Sequence, residues 1–447
     1  MHTTNRIARR AFGVALTSLA LMACTSDELL DVDNPDVIEP GKLETAQGAA
    51  TLYAGTLADF AQAHDGSSDG SALGLFGGVV MTSGLFTDEF RFGGTPPEVR
   101  QLDLTDVTKE NSFFRTTYLA MHQVREGAER AARTLESTGN GAADKRIGEM
   151  HAVSGLIVTL IGELFCEGTP FSSTASGTIE YGTPLTKAET FALAVEKFTA
   201  AASAAAGDAA ITNLAAVGTG RALLDAGQFA QAGAAVAAVP TAFEYVTNHG
   251  DAPLRVQNLM KGFIFDFDYL SVSNNEGTNG LNYATANDPR VVTNFAGPSR
   301  FDGETPHYQL LIYNSFAAPV IVASGVEARL IEAEAALRAN DFTTWKAKLD
   351  AARASFGMGP VTDPGTADAR VDLMFRERAF SLFGTGHRLG DMRRLVTQYS
   401  RAANTVYPIG AYHKDNLTRG VDRSFVIPAS EENNPNYSAT GCSKTTP

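Results

Sequence analysis

One spacing occurs twice in the chain and sets its architecture. Gly220, Gly227, Phe229 and Ala232 follow one another at intervals of 7, 2 and 3 residues, and Ala333, Asn340, Phe342 and Trp345 repeat those intervals. Each set puts a small residue inside one helix, a turn-forming residue at its end and an aromatic residue at the start of the next helix. A helix pair of this kind cannot bury its apolar face alone, so such pairs stack into an array. The rest of the sequence supplies further members. Leu43, Leu52, Leu57 and Phe60 suit a helix over residues 42–64, residues 111–135 read as a charged amphipathic helix, residues 147–165 are apolar enough to be buried, and residues 187–206 follow a loop rich in Ser, Thr and Gly. Pairing these helices gives about four units. Trp345, the only tryptophan, is expected to pack between helices rather than to meet a ligand.

The spacing resembles the tetratricopeptide helix pair, whose period is ~34 residues. The expected fold class is therefore mainly α, a tetratricopeptide-like solenoid. Residues 240–320 break the helical pattern as an insertion. Within them Phe265-Asp266-Phe267-Asp268-Tyr269 alternates apolar and acidic side chains as a strand does, and His307-Tyr308-Gln309-Leu310-Leu311-Ile312-Tyr313 reads as a second strand. Loops and short strands on a helical scaffold are a common location for binding sites. Asp266 and Asp268 would share one face of their strand, whereas a catalytic carboxylate pair flanks its bond from opposite sides. Gly66-Ser67-Ser68-Asp69-Gly70 matches G-x-S-x-G, but a nucleophile elbow needs a strand before the serine. A helix precedes Ser68, so the stretch is read as a loop. Phe86, Phe90 and Phe92 lead into Gly93-Gly94-Thr95-Pro96-Pro97, an aromatic-rich loop whose rings either stack on sugar or peptide or, as is more frequent for phenylalanine, are buried in the core.

The N-terminus addresses the chain. Arg6, Arg9 and Arg10 precede an apolar run over residues 11–20, which is too short to span a membrane. Leu21-Met22-Ala23-Cys24 then resembles the bacterial lipobox, in which the cysteine is lipidated and becomes N-terminal. Residues 1–23 are thus expected to be a lipoprotein signal peptide, 24–42 a lipidated tether and 43–447 one domain. The lipobox resemblance implies a diacylglyceryl group and an amide-linked, palmitate-type chain on Cys24, enough for stable anchoring. Asp31, Asp33 and Asp36 in the tether lack the glycine and final glutamate of an EF-hand loop, so no metal is expected there. A net charge of −14 disfavours nucleic acid as a partner. Lipidation of Cys24 leaves Cys166 and Cys442, either bridged outside the cytoplasm or as two free thiols.

Three motifs carry a family resemblance. Arg376-Glu377-Arg378-Ala379-Phe380-Ser381-Leu382-Phe383-Gly384-Thr385-Gly386-His387-Arg388-Leu389-Gly390-Asp391-Met392-Arg393-Arg394 is similar to the signature that ends the helical body of the SusD/RagB family. Phe425-Val426-Ile427-Pro428, with Glu431 and Asn434-Pro435-Asn436, resembles that family's C-terminal motif, and Leu30-Asp31-Val32-Asp33-Asn34-Pro35 resembles the stretch after its lipidated cysteine. Ser381, Thr385 and Val426 depart from the pattern. The resemblance implies a lipid-anchored outer-membrane protein, facing the cell surface, that binds oligomeric nutrient without turning it over. It would close over a SusC-like TonB-dependent transporter. Most relatives of this kind bind oligosaccharide and one branch binds oligopeptide. Placement in loops and strands makes Phe86, Phe92, Tyr269, Tyr283, Tyr308 and Tyr313 the candidate ligand contacts. No catalytic residue, metal or cofactor is expected: the histidines form no H-x-x-x-H pattern and no phosphate loop occurs. Glu377, Arg378, Arg388, Asp391 and Arg393 are expected to form an ion-paired helix junction, with Gly384 and Gly386 permitting the turn. The competing readings are a helical-repeat envelope assembly scaffold, against which the insertion counts, and a secreted hydrolase, against which the scattered acids count.

Overall fold

A computed structural model describes residues 45–66, 77–139, 143–438 and 441–447. Cys24, the tether and Ser68 lie outside the described residues. The first half contains helices α1 (Ala46–Asp65), α2 (Gly78–Phe86), α3 (Pro97–Asp103), α4 (Ser112–Thr138), α5 (Lys145–Leu164), α6 (Lys187–Ala204), α7 (Ala209–Asp225) and α8 (Phe229–Val236). After the insertion come α9 (Gly325–Arg338), α10 (Phe342–Ala354), α11 (Ala367–Ser381) and α12 (Arg388–Thr397). In the order α1, α4, α5, α6, α7, α8, α9, α10 each helix packs on the next, which makes four pairs of one continuous solenoid.

Local chemistry explains the boundaries. Asn111 caps α4 by accepting from the amides of Phe113 and Phe114, Asp208 caps α7, and Thr186 with Glu189 forms a capping box on α6. The repeated turn positions Gly227 and Asn340 have φ of 75° and 58°, the left-handed region that ends a helix. Gly220 is small because α8 crosses there: a Cβ would lie 2.5 Å from Val236 Cγ1. Trp345 is fully buried. Helix α5 is long and apolar enough to cross a membrane, yet it is a core helix here, with residues 152–164 all buried.

Among the described residues eight short strands form antiparallel pairs, five of the strands lying between α8 and α9. Strand β1 (Phe90–Phe92) pairs with β5 (Leu270–Val272), β2 (Thr169–Pro170) with β3 (Pro184–Leu185), β4 (Glu244–Thr247) with β8 (Val320–Ser324), and β6 (Thr293–Pro298) with β7 (Pro306–Leu310). The strand expected over 265–269 is instead a π-helical turn, Gly262–Asp266, followed by β5. The consecutive Gly262, Phe263 and Ile264 are buried, so the apolar–acidic alternation was a local accident of a wound segment. Asp266 and Asp268 consequently do not share a strand face: Asp266 pairs with Lys261 at 2.6 Å, and Asp268 sits at φ 52°. The second expected strand stops at Leu310, and residues 311–313 turn into a 3-10 helix.

The tail returns to the body. Phe425 N donates to Leu164 O at 2.9 Å and Cys166 N to Phe425 O at 2.8 Å, while the Phe425 ring packs on Phe86 with centroids 4.5 Å apart. Cys166 and Cys442 are joined by a disulfide across a sequence separation of 276.

Candidate functional site

The hairpin β6–β7 presents the most exposed aromatic surface of the insertion. Its tip, residues 299–305, is held by buried polar contacts. Ser299 Oγ lies 2.9 and 3.0 Å from the carbonyl oxygens of Gly93 and Asp268, and Asp302 accepts from the amides of Glu304 and Thr305 and from Lys414 Nζ at 2.8 Å. Lys414 also donates to Gly94 O at 2.8 Å, so the tip is tied to the loop after β1. On this anchored tip Phe301 is 46% exposed, and its ring centroid is 4.3 Å from that of Tyr269. Tyr269 in turn lies 5.6 Å from Phe267, with planes inclined by 29°, and Phe267 is 40% exposed. Beneath them Phe92 supports Tyr269 at 6.0 Å. Arg300 borders the cluster and donates to Asp268, Nε to Oδ2 at 2.7 Å. Burial by itself would raise the Asp268 pKa, but Arg300 and His307 bring it below the usual carboxylate value, so it stays ionised. Three rings with a charged, hydrogen-bonding rim offer the two things a sugar presents, an apolar C–H face and hydroxyls.

Of the six aromatics expected to meet ligand, Tyr269 is half-buried in this cluster and Tyr308 is half-buried opposite Phe295, with centroids 5.0 Å apart. The other four are corrected by burial. Phe86 packs on Phe425, Phe92 underlies Tyr269, Tyr283 lies between Phe380 and Phe383, and Tyr313 donates its hydroxyl to Gly384 O at 2.8 Å. None is more than 2% exposed, so none reaches a surface ligand. The rings that sequence reasoning missed are Phe267, Phe295 and Phe301. Phe301 had a signal: it stands between Pro298 and Gly303, among residues that favour an exposed turn.

The junction residues are structural, and four of the five expected are ion-paired; Arg393 is the exception, donating instead to the carbonyl oxygens of Glu163 and Phe165, both at 2.8 Å. Asp391 accepts from Arg378 Nε at 2.9 and 3.0 Å and from Arg394 Nη2 at 2.8 Å, Arg388 pairs with Asp88 at 2.7 Å, and Glu377 is shared by Arg290 and Arg353. Gly384 and Gly386, at φ 69° and 83°, make the turn. His387 is 3% exposed, 2.8 Å from Thr385 Oγ1 and 3.1 Å from Glu327. Asp103, Glu276 and His413 also come together within metal-ligand range. Arg419 already bridges the two carboxylates at 3.0 and 2.7 Å, and Arg91 meets Glu276. With two guanidiniums against two carboxylates, the cluster is neutralised from within the chain.

Comparison with solved structures decides the fold. A surface glycan-binding protein A from Bacteroides uniformis superposes with a TM-score of 0.66 at 12% identity, over 88% of this chain and 99% of that one. A SusD-like carbohydrate-binding protein from Bacteroides vulgatus gives 0.59 at 13% identity over 78% and 83%. This chain has the SusD-like fold. A SusD/RagB family protein from Bacteroides thetaiotaomicron agrees, with a TM-score of 0.57 at 14% identity over 85% and 94%. No protein-family model and no curated protein matches the sequence.

Proposed function

We propose that this SusD-like chain is an outer-membrane lipoprotein, anchored through Cys24, that binds an oligomeric glycan on the Phe267–Tyr269–Phe301 cluster and delivers it to a SusC-like TonB-dependent transporter. The observation that carries the reading is the cluster: three contiguous rings, two of them markedly exposed, on a hairpin tip fixed by Ser299, Asp302 and Lys414. The carbohydrate-binding descriptions of the Bacteroides vulgatus and Bacteroides uniformis proteins support it. A site fixed before binding loses little ordering entropy, so ring contacts appear as affinity.

Calorimetric titration of the chain beginning at Thr25 with a panel of soluble oligosaccharides and peptides tests it. Saturable binding of one oligosaccharide, with no shorter product, is expected, and Phe301→Ala is expected to weaken it at least tenfold, about 1.4 kcal/mol. Binding of peptides alone would move the protein to the peptide-binding branch. Oligosaccharide affinity unchanged by combined replacement of Phe267, Tyr269 and Phe301 with alanine would sink the assignment of the site.

A further inference from the structure

A pocket of about 350 Å³ is lined by β4 and β8, the start of α9, the end of α11 and the turn that follows it. Phe356, Phe380, Leu382 and Phe383 give it apolar walls, which Ile321 and Val326 continue. Its mouth carries the exposed Glu244, Ile312, Pro319 and Ser355, and its floor the buried Glu327, Thr385 and His387. The chain itself satisfies most of the remaining polar lining. Arg290 donates to Asp288 and to Glu377, each at 2.6 Å, and to Ser381 Oγ at 3.1 Å, while Ser324 Oγ accepts from the Glu327 amide at 3.1 Å. Thr385 Oγ1 donates its one proton to Leu382 O at 2.5 Å, and so accepts from His387 Nδ1 at 2.8 Å. With its proton on Nδ1, the neutral imidazole turns a bare Nε2 toward Glu327 Oε1, 3.1 Å away. Burial and Arg221 hold the His387 pKa below the ordinary histidine value. Burial alone would raise the Glu327 pKa, but His387 and the Arg221 and Arg378 guanidiniums bring it below the usual carboxylate value, so neither side chain supplies the proton that would join them. Among the described residues Glu327 Oε1 and His387 Nε2 both lack a hydrogen-bond partner, although the two residues are only 1% and 3% exposed.

We propose that this pocket is a second ligand site, sharing no residue with the aromatic cluster, which takes a neutral aromatic ring bearing two adjacent hydroxyls, an ortho-diphenol. An acceptor buried without a donor is unfavourable, and two of them side by side call for two donors at the same spacing. Adjacent hydroxyls on one ring stand about that far apart, each has one proton to donate, and the bond to the Glu327 carboxylate is charge-assisted. The phenylalanine walls favour an aromatic body over the more hydrated body of a sugar. Arg290 in the wall, with Arg221 and Arg378 near Glu327, disfavours a cationic amine, and Glu327 itself disfavours an acid. At about 350 Å³ the pocket sits at the small end of ligand sites, which excludes an oligomer.

The test is titration of the chain beginning at Thr25 with catechol. The comparators are resorcinol, whose hydroxyls are not adjacent, ortho-dimethoxybenzene, which has no donor, and D-mannose, a vicinal diol without an aromatic body. Catechol is expected to bind saturably and at least tenfold tighter than any of the three. Glu327→Gln removes the charge from one of the two acceptors, so a tenfold or greater loss of catechol affinity is expected. Phe356→Ala, at a half-buried position in the wall, is the second variant should the first unfold, and is expected to weaken binding as well. Phe301→Ala is expected to leave catechol affinity unchanged, so failure at the aromatic cluster and failure here are distinguishable. Catechol affinity unchanged by Glu327→Gln and Phe356→Ala, or lost with Phe301→Ala, overturns the site. Equal binding of resorcinol or ortho-dimethoxybenzene, tighter binding of D-mannose, or no saturable binding of catechol by the unmodified chain overturns it equally.

Discussion

Glu89 makes the stability of the junction turn depend on pH. It precedes β1, is 1% exposed, and accepts from Gly384 N with Oε1 at 2.9 Å, while Oε2 has no partner among the described residues. Burial, reinforced by Asp88 and Asp391, outweighs the Gly384 amide and Arg388 and pushes its pKa from 4.5 up to about 8. The folded state therefore holds a proton that the unfolded chain has already released. As pH rises from 4.5 the unfolded state gains free energy by ionising, and stability falls until the folded carboxyl also ionises near pH 8. At about 1.4 kcal/mol per unit, this window amounts to roughly 5 kcal/mol. Glu89→Gln retains an acceptor for Gly384 and removes the titration. The variant is expected to match the parent closely at pH 4.5 and to exceed it by several kcal/mol at pH 9, read from denaturant unfolding of both proteins across that range. A stability difference independent of pH, or a variant less stable than the parent at pH 9, would refute the argument that Glu89 is buried as a neutral acid.

Two further outcomes follow from the packing. Asp391→Asn leaves Arg378 and Arg394 short of buried negative charge, and a loss of about 3–5 kcal/mol is expected in denaturant unfolding; a loss under 1 kcal/mol would mean the pairs are replaceable. Replacing Cys166 and Cys442 together with serine releases a long loop in the unfolded state, with a chain-entropy limit of roughly 5 kcal/mol. Here the check is the guanidinium midpoint without reductant, and an unchanged midpoint would show that the Phe425 contacts alone hold the tail.

The helical body was readable because its determinants are local. Gly227 and Asn340 sit at helix ends for reasons of backbone conformation, and Thr186 and Asp208 cap helices through their own nearest amides. Gly220 and Ala333 mark crossings because only a small residue fits between stacked helices. The insertion was readable only as an interruption. Its alternation at 265–269 is a strand pattern in sequence, yet the segment winds into a π-helical turn, because what it packs against comes from elsewhere: His307 Nε2, for example, lies 2.7 Å from Ile264 O.

The ring assignment shows the division most clearly. Phe92 and Phe301 both stand beside glycine and proline in loop-like sequence, so the turn signal at Phe301 is shared by a ring that is buried. One is buried and the other nearly half exposed, because the hairpin tip folds over the loop after β1 and places Tyr269 between the two rings. The chain by itself determined the solenoid, its approximate number of units and the glycine turn near residue 386, all consequences of short-range periodicity, capping and backbone conformation, whereas the partners that pair Arg388 and Glu377, Asp88 and Arg290, come from far away in sequence. Which aromatic faces solvent was decided only by contacts between segments far apart in sequence, since exposure belongs to the packed surface and not to any one stretch of it.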